Sequence, residues 1–148
     1  PHQFVSEQRY QITRVLLHVS RDLGHGGAAA TYQIEPDGDG YEVRLTVSRL
    51  SPAPGERAFQ PSRITQTLAK DKREVDAFLR RLGAEFNVFD WADLKSPYPF
   101  LHPTFYTFSF HDAAGRQHGF NYQIEGSHHL DAKYQALVQA FESFFQSP

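Results

Sequence analysis

The sequence predicts one α+β domain over residues 1–148, in which an antiparallel sheet of about five strands carries three helices on one face. Two pairs of segments alternate apolar and polar residues around turn-forming residues, which is typical of β-hairpins. Three other segments carry apolar residues at helical spacing. Because hairpins pair strands that are neighbours in the chain, we expect two hairpins plus a short strand, with the helices packed on the apolar face.

The first predicted helix covers residues 6–23, where apolar residues recur at i, i+3, i+4, i+7 and i+11. Ser6 is the predicted N-cap and Gly24 the predicted end. Val15, Leu17 and Val19 also alternate, so a strand is the competing interpretation. The helix is favoured because its pattern is longer and has a cap at each end. The Gly-rich segment 24–27 is then a helix C-cap rather than a phosphate-binding loop, which would follow a strand and open a helix.

A first hairpin is predicted from residues 31–35 and 41–48, in which apolar and polar side chains alternate. The Pro-Asp-Gly-Asp-Gly segment at 36–40 supplies residues that accept positive φ in the turn. A proline-rich loop at 51–61 cannot continue a ladder, and it leads to a short strand at 63–69.

The second predicted helix begins at Asp71, with Glu74 three residues on in a pattern like a capping box. Apolar residues continue it at helical spacing, and Gly83 is the predicted stop. Basic residues lie along this helix, but acidic residues interleave with them. A solvated surface of mixed charge is therefore favoured over a nucleic-acid site.

The second hairpin is predicted from residues 105–110 and 120–124, around a turn at 112–115. The last predicted helix follows it. Its apolar stripe runs from Leu130 to Phe145 and is the clearest helical pattern in the chain.

Composition argues against several classes of protein. Lys plus Arg is 15 and Asp plus Glu is 17, a formal charge of -2, which argues against a broad nucleic-acid or acidic-membrane surface. No segment approaches the roughly 20 consecutive apolar residues of a membrane helix. The absence of Cys excludes disulfides, thiolate metal sites and cysteine nucleophiles, but it leaves the compartment open, with the cytoplasm slightly favoured.

Histidines near the second hairpin are the candidates for a metal site. His111 ends one predicted strand, His118 begins the next, and His128 and Asp131 precede the last helix. Nitrogen and oxygen ligands of this kind suit Zn, Ni or Mn. The spacing matches no established metal motif, so exposed histidines that aid solubility or cap the helix are the alternative.

A small metal-dependent or carboxylate-based enzyme that uses the His111, His118 and His128 cluster is the alternative function, and Glu125 beside Asp131 or His128 is its candidate acid or base. Ser127 has no base and orienting acid fixed around it by any recognisable motif. The sequence therefore assigns no catalytic residue and no cofactor.

The connection after the second helix is the candidate binding surface. It carries Trp91, Tyr98, Phe100 and Leu101 in a segment stiffened by prolines. Rigid aromatic rings are enriched in interface hot spots, although such a loop can also fold back to cover the end of a sheet. These observations predict a non-enzymatic protein-interaction module, such as an adaptor, inhibitor or immunity-type protein. Its predicted partner is another protein or a second copy, and neither nucleic acid nor a membrane.

A third hypothesis is a pocket between the sheet and the helices. Tyr32, Tyr122 and Tyr134 would line it, because rings with hydroxyl tips suit an amphipathic ligand.

Overall fold

The computed structural model of the chain describes residues 11–22, 27–49, 62–95, 101–126 and 128–146. Its strands are β1 (Ile12–Asp22), β2 (Gly27–Asp37), β3 (Gly40–Arg49), β4 (Ser62–Leu68), β5 (Pro103–Asp112) and β6 (Gln117–Glu125). Its α-helices are α1 (Lys72–Arg80) and α2 (Ala132–Gln146). The strands form one sheet in the order β4-β3-β2-β1-β5-β6, and all neighbours are antiparallel. The predicted α+β class and antiparallel sheet are confirmed, whereas the predicted counts of five strands and three helices are wrong for the described residues.

The error in both counts comes from the segment predicted as the first helix, which is the strand β1. Val15, Leu17 and Val19 are buried, while Leu16 and His18 between them are exposed on the other face. β1 pairs with β2 on one side and with β5 on the other. The period of two prevails because two ladders of hydrogen bonds and the packing of β-branched side chains outweigh a weak helical preference.

This correction also removes the predicted C-cap. Residues 24–27 were expected to end a helix, but the described residues on either side belong to paired strands, since Asp22 of β1 pairs with Gly27 of β2, and residues 24–26 lie outside the described residues. The predicted N-cap, Ser6, lies outside the described residues.

Both predicted hairpins are confirmed. In the first, Asp37 pairs with Gly40, and Gly38 has a φ of 59°, which favours glycine. In the second, the buried Asp112 carboxylate accepts the backbone N–H groups of Ala114 and Arg116 at 3.0 and 2.8 Å. These bonds hold the turn between β5 and β6.

The second predicted helix forms, but it does not end at Gly83. Asp71 caps α1 as predicted, because its carboxylate accepts the backbone N–H of Glu74 at 2.9 Å. Beyond Arg80 the chain continues as a π-helical turn, Arg81–Glu85, in which Gly83 is buried. The chain leaves helical geometry at Asn87, whose φ is 53°. A single glycine costs a helix only about 1 kcal/mol, which the packing of a docked turn can offset.

Aromatic rings join the helices to one face of the sheet, which we call the helix side. Phe141 of α2 lies 5.8 Å from Phe108 of β5 and 5.3 Å from Phe78 of α1, measured between ring centroids. Phe145 packs at 5.0 Å against Tyr32 of β2. No helix in the described part of the chain is both long and apolar enough to cross a membrane.

Candidate functional site

The two histidines of the second hairpin lie on opposite faces of the sheet. Phe110 pairs with His118 on the helix side, whereas His111 pairs with Gln117 and points to the far side. His118 Nε2 is 2.7 Å from the carbonyl oxygen of Trp91. The antiparallel register therefore separates His111 from His118.

The remaining candidates for metal binding or catalysis have structural contacts of their own. Asp131 caps α2 by accepting the backbone N–H of Lys133 at 2.8 Å. The Glu125 carboxylate accepts two backbone N–H groups of the segment before β5, those of Leu101 at 3.1 Å and His102 at 3.0 Å. His128 is exposed. Within the described ranges, no three His, Asp or Glu residues are grouped so that they could hold a metal ion.

The aromatic connection is divided between core and surface. Trp91 is only 3% exposed, so it belongs to the core. Its indole N–H donates to the carbonyl oxygen of Phe86 at 2.7 Å, and its ring lies 4.7 Å from that of Tyr134. Leu101 is 82% exposed. Tyr98 and Phe100 lie outside the described residues.

The three tyrosines of the predicted pocket do not line one cavity. Tyr122 and Tyr134 are buried against each other, with ring centroids 4.9 Å apart. The Tyr122 hydroxyl accepts the backbone N–H of Leu130 at 3.0 Å and shares a hydrogen bond of 3.0 Å with Nδ1 of His129. Burial raises the pKa of Tyr122 and lowers the pKa of His129. These polar groups are therefore satisfied inside the fold.

Tyr32 lies elsewhere, at the margin of the core. It lines a cavity of about 340 Å³ between β2 and the last turn of α2, together with Ala30, Val47 and the side chains of Arg21 and Glu142. Burial and the nearby Glu142 carboxylate raise the pKa of the Tyr32 hydroxyl. The hollow exists because β2 carries small alanine side chains here.

One outer edge of the sheet, on β6, is covered by the segment that follows α1. The backbone N–H of Leu94 donates to the carbonyl oxygen of Asn121 at 2.9 Å, and the N–H of Gln123 donates to the carbonyl oxygen of Leu94 at 3.0 Å. The Asp93 carboxylate accepts the N–H of Asn121 at 2.8 Å. Three outward backbone groups in the middle of β6, from Asn121 and Gln123, thus have partners.

The other outer edge is β4. It pairs with β3 from Ser62 to Leu68, and within the described residues no segment pairs with its second side. Every residue of β4 except Leu68 is exposed. Neither its edge position nor its exposure was predicted, because the sequence suggested only a short strand here.

Apolar side chains continue from the core to this edge. Direct pairing across the strands places Val19, Ala30, Val47 and Ile64 in one row on the helix side. Val19 is buried, but Val47 is 49% exposed and Ile64 is 70% exposed. The apolar row therefore extends beyond the part of the sheet that α2 covers, and its side chains become exposed toward β4.

Comparison of the chain with protein family profiles, curated proteins and solved structures finds no match.

Proposed function

We propose that this domain is a non-enzymatic protein-interaction module, and that it binds an extended segment of a polypeptide by pairing it with β4. The observation that supports this proposal is the difference between the two edges of the sheet. Asp93 and Leu94 pair with the middle of the β6 edge, at Asn121 and Gln123, while β4 has no such cover among the described residues. Unpaired backbone N–H and C=O groups at an edge are a template for strand addition.

β4 also lacks the features that usually block strand addition. Its sequence, Ser-Arg-Ile-Thr-Gln-Thr-Leu, has no proline and only one charged residue, Arg63. Its register with β3 runs without a bulge from Ser62 to Leu68. Edge strands that are protected against pairing typically carry several charges, a proline or a bulge. This strand is regular and exposed, so a second strand can pair along its length.

The helix side supplies contacts for the partner's side chains. Every second residue of an added strand would face the helix side, next to Ile64 and Gln66. A cavity of about 470 Å³ lies beside them, lined in part by Leu45, Leu68 and Phe145. We therefore expect the bound segment to carry apolar residues at alternate positions.

The contacts of the other candidate residues support a binding role over the alternative of an enzyme. Glu125 and Asp131 accept backbone N–H groups, and His118 lies within hydrogen-bond distance of a backbone carbonyl. A general acid or base needs a carboxylate or imidazole within reach of a substrate. The contacts of these three side chains with the backbone therefore favour the binding role in this proposal.

Peptides selected from a random display library against the purified protein test the proposal. Each selected peptide is resynthesised with N-methyl groups placed at one residue at a time, which removes one backbone donor. Strand addition predicts that binding is lost at every second residue, because alternate N–H groups point toward β4. A peptide held only by its side chains would show no such period, and that outcome would contradict the proposal.

Proline substitutions on the protein supply the matching test. Adjacent N–H groups of β4 point alternately to β3 and to the open edge, so proline is placed at Thr65 and at Gln66 in separate variants. The variant that keeps the β3 ladder is expected to fold normally and to lose peptide binding. Thr31→Ala, on an interior strand, is the control and should bind as the wild type does.

A further inference from the structure

The pairing geometry of β4 allows it to bind itself. An antiparallel pair of β4 strands around a two-fold axis at Thr65 matches every residue from Ser62 to Leu68 with a residue of the other copy. Centring the axis on Ile64 would pair only residues 62–66, and centring it on Gln66 would pair only residues 64–68. Full pairing of the strand therefore selects Thr65 as the centre.

The side chains that meet in this register are compatible. Thr65 faces Thr65 of the second copy, which extends a hydroxyl contact already present, since Thr46 Oγ1 and Thr65 Oγ1 are 3.2 Å apart. Arg63 faces Thr67 of the second copy, so no like charges are opposed. Threonine pairs across strands are favourable relative to alanine pairs.

The same register covers the exposed apolar row. Ile64 faces Gln66 of the second copy and is a diagonal neighbour of the second Ile64, at roughly 7–8 Å. The rows that end at Val47 and Ile64 in the two copies then lie side by side, offset diagonally by two residues, and each row is continued across the junction by Gln66 of the other copy. A single chain leaves these two side chains 49% and 70% exposed, respectively.

We infer that the partner strand of β4 is β4 of a second copy of this chain, so that two six-stranded sheets join into one continuous sheet with the helices of both copies on the same side. This inference rests on the proposed function, since it names the polypeptide that the edge binds. The chain recognises itself through main-chain hydrogen bonds, the threonine pair and the diagonal contact between the two Ile64 side chains.

Single cysteines test the register, because the chain contains no Cys. Opposed residues in an antiparallel pair have Cα atoms about 4.5–5.5 Å apart, a distance that a disulfide spans. Thr65→Cys is therefore expected to form a covalent dimer under mild oxidation. Two Thr67→Cys chains would not, because their cysteines are four residues apart in register, roughly 14 Å at 3.4 Å per residue. A mixture of Arg63→Cys and Thr67→Cys chains should form the mixed dimer.

Thr31→Cys is the matched control for random collision, since Thr31 lies on the same face as Thr65 but on an interior strand. Sedimentation equilibrium of the wild type should show a mass that rises with concentration toward twice that of one chain. Ile64→Lys, which places a charge at the apolar junction, should weaken the dimer by roughly tenfold.

Two results of the crosslinking and sedimentation experiments would overturn the inference, and peptide binding by a monomer then separates it from the proposed function. One is a Thr65→Cys chain that crosslinks no faster than Thr31→Cys, together with a wild type that stays monomeric at every concentration. The other is a Thr67→Cys chain that crosslinks faster than Thr65→Cys, which would indicate a different register. A wild type that stays monomeric but binds selected peptides, with binding lost on N-methylation at every second residue, would overturn self-pairing alone. A monomer that binds none in this way would overturn the proposed function as well.

Discussion

Replacing Trp91 with alanine should destabilise the fold rather than remove a binding surface. The sequence predicted Trp91 as a partner contact, but the structure buries it beside α2. Its ring lies 5.5 Å from Phe120 and 4.7 Å from Tyr134, and the Lys133 ammonium lies 4.3 Å from its centroid. The indole N–H also donates to the carbonyl oxygen of Phe86. The substitution removes all of these contacts at once.

The expected loss of stability follows from the burial of the ring. Truncation of a buried Trp to Ala costs about 3–5 kcal/mol. For a domain of this length, each kcal/mol lowers the melting temperature by roughly 2–4 °C, so Trp91→Ala should lower it by roughly 6–20 °C. Trp91→Phe keeps most of the ring but leaves the Phe86 carbonyl without its donor, which costs about 1–3 kcal/mol.

Urea unfolding followed by far-ultraviolet circular dichroism measures both losses, because Trp91 is the sole tryptophan and its fluorescence disappears with it. Leu101→Ala is the control. This side chain is exposed in the same connection and should change the free energy of unfolding by no more than about 0.5 kcal/mol. A Trp91→Ala protein that loses less than about 1 kcal/mol while losing its binding partner would refute the assignment of Trp91 to the core.

The hydrogen bonds of Tyr122 and Glu125 lead to three more expectations. Tyr122→Phe removes the hydroxyl that accepts the N–H of Leu130 in a partly buried hydrogen bond, and it should lower the free energy of unfolding in urea by about 0.5–1.5 kcal/mol; an unchanged midpoint would contradict this. Burial lowers the pKa of His129, so its ring should titrate below 6.5 by NMR. The free energy of unfolding should decrease as the pH drops from 6.5 to the folded pKa, because the unfolded chain binds more protons than the folded chain in that range. A His129 ring that titrates at or above 6.5 would contradict the lowered pKa. Glu125→Ala should speed amide exchange at Leu101, and exchange at the wild-type rate would contradict the hydrogen bond from the Leu101 N–H to the Glu125 carboxylate.

Local signals were sufficient to predict the hairpins and the last helix. The turn between β2 and β3 needs positive φ at Gly38, and the sequence supplies glycine there. Asp71 caps α1 because a short acceptor just before an apolar period is a local arrangement. In each case the residues that determine the structure lie within a few positions of it.

β1 could not be assigned from its own pattern. Its apolar residues fit both a helix and a strand, because Leu16 is apolar but lies on the far side of the sheet, where it is exposed. The strands that pair with β1, and so decide between helix and strand, are β2 and β5. β5 is distant in the sequence, and β2 was not predicted to pair with this segment. Tertiary pairing therefore overrides the local preference, as it commonly does for short apolar segments.

The candidate interface could not be predicted either, because an edge is a property of strand order. The sequence indicated a short strand at 63–69, and the structure has one at Ser62–Leu68. Whether that strand is central or at an edge depends on the order of the strands in the sheet, which the residues of β4 alone do not determine. Its exposed Ile64 would have been equally suitable for an interior position.

The open edge follows from the strand identity of β1. Because β1 is a strand, the first four strands form a meander that grows outward from it and ends at β4. The chain then returns through α1 and places β5 on the other side of β1, and the segment around Leu94 that precedes β5 covers β6. No described segment that follows β4 returns to cover it. The residues that were misassigned in the sequence are therefore the ones that place β4 at the edge, and the proposed interface depends on that topology.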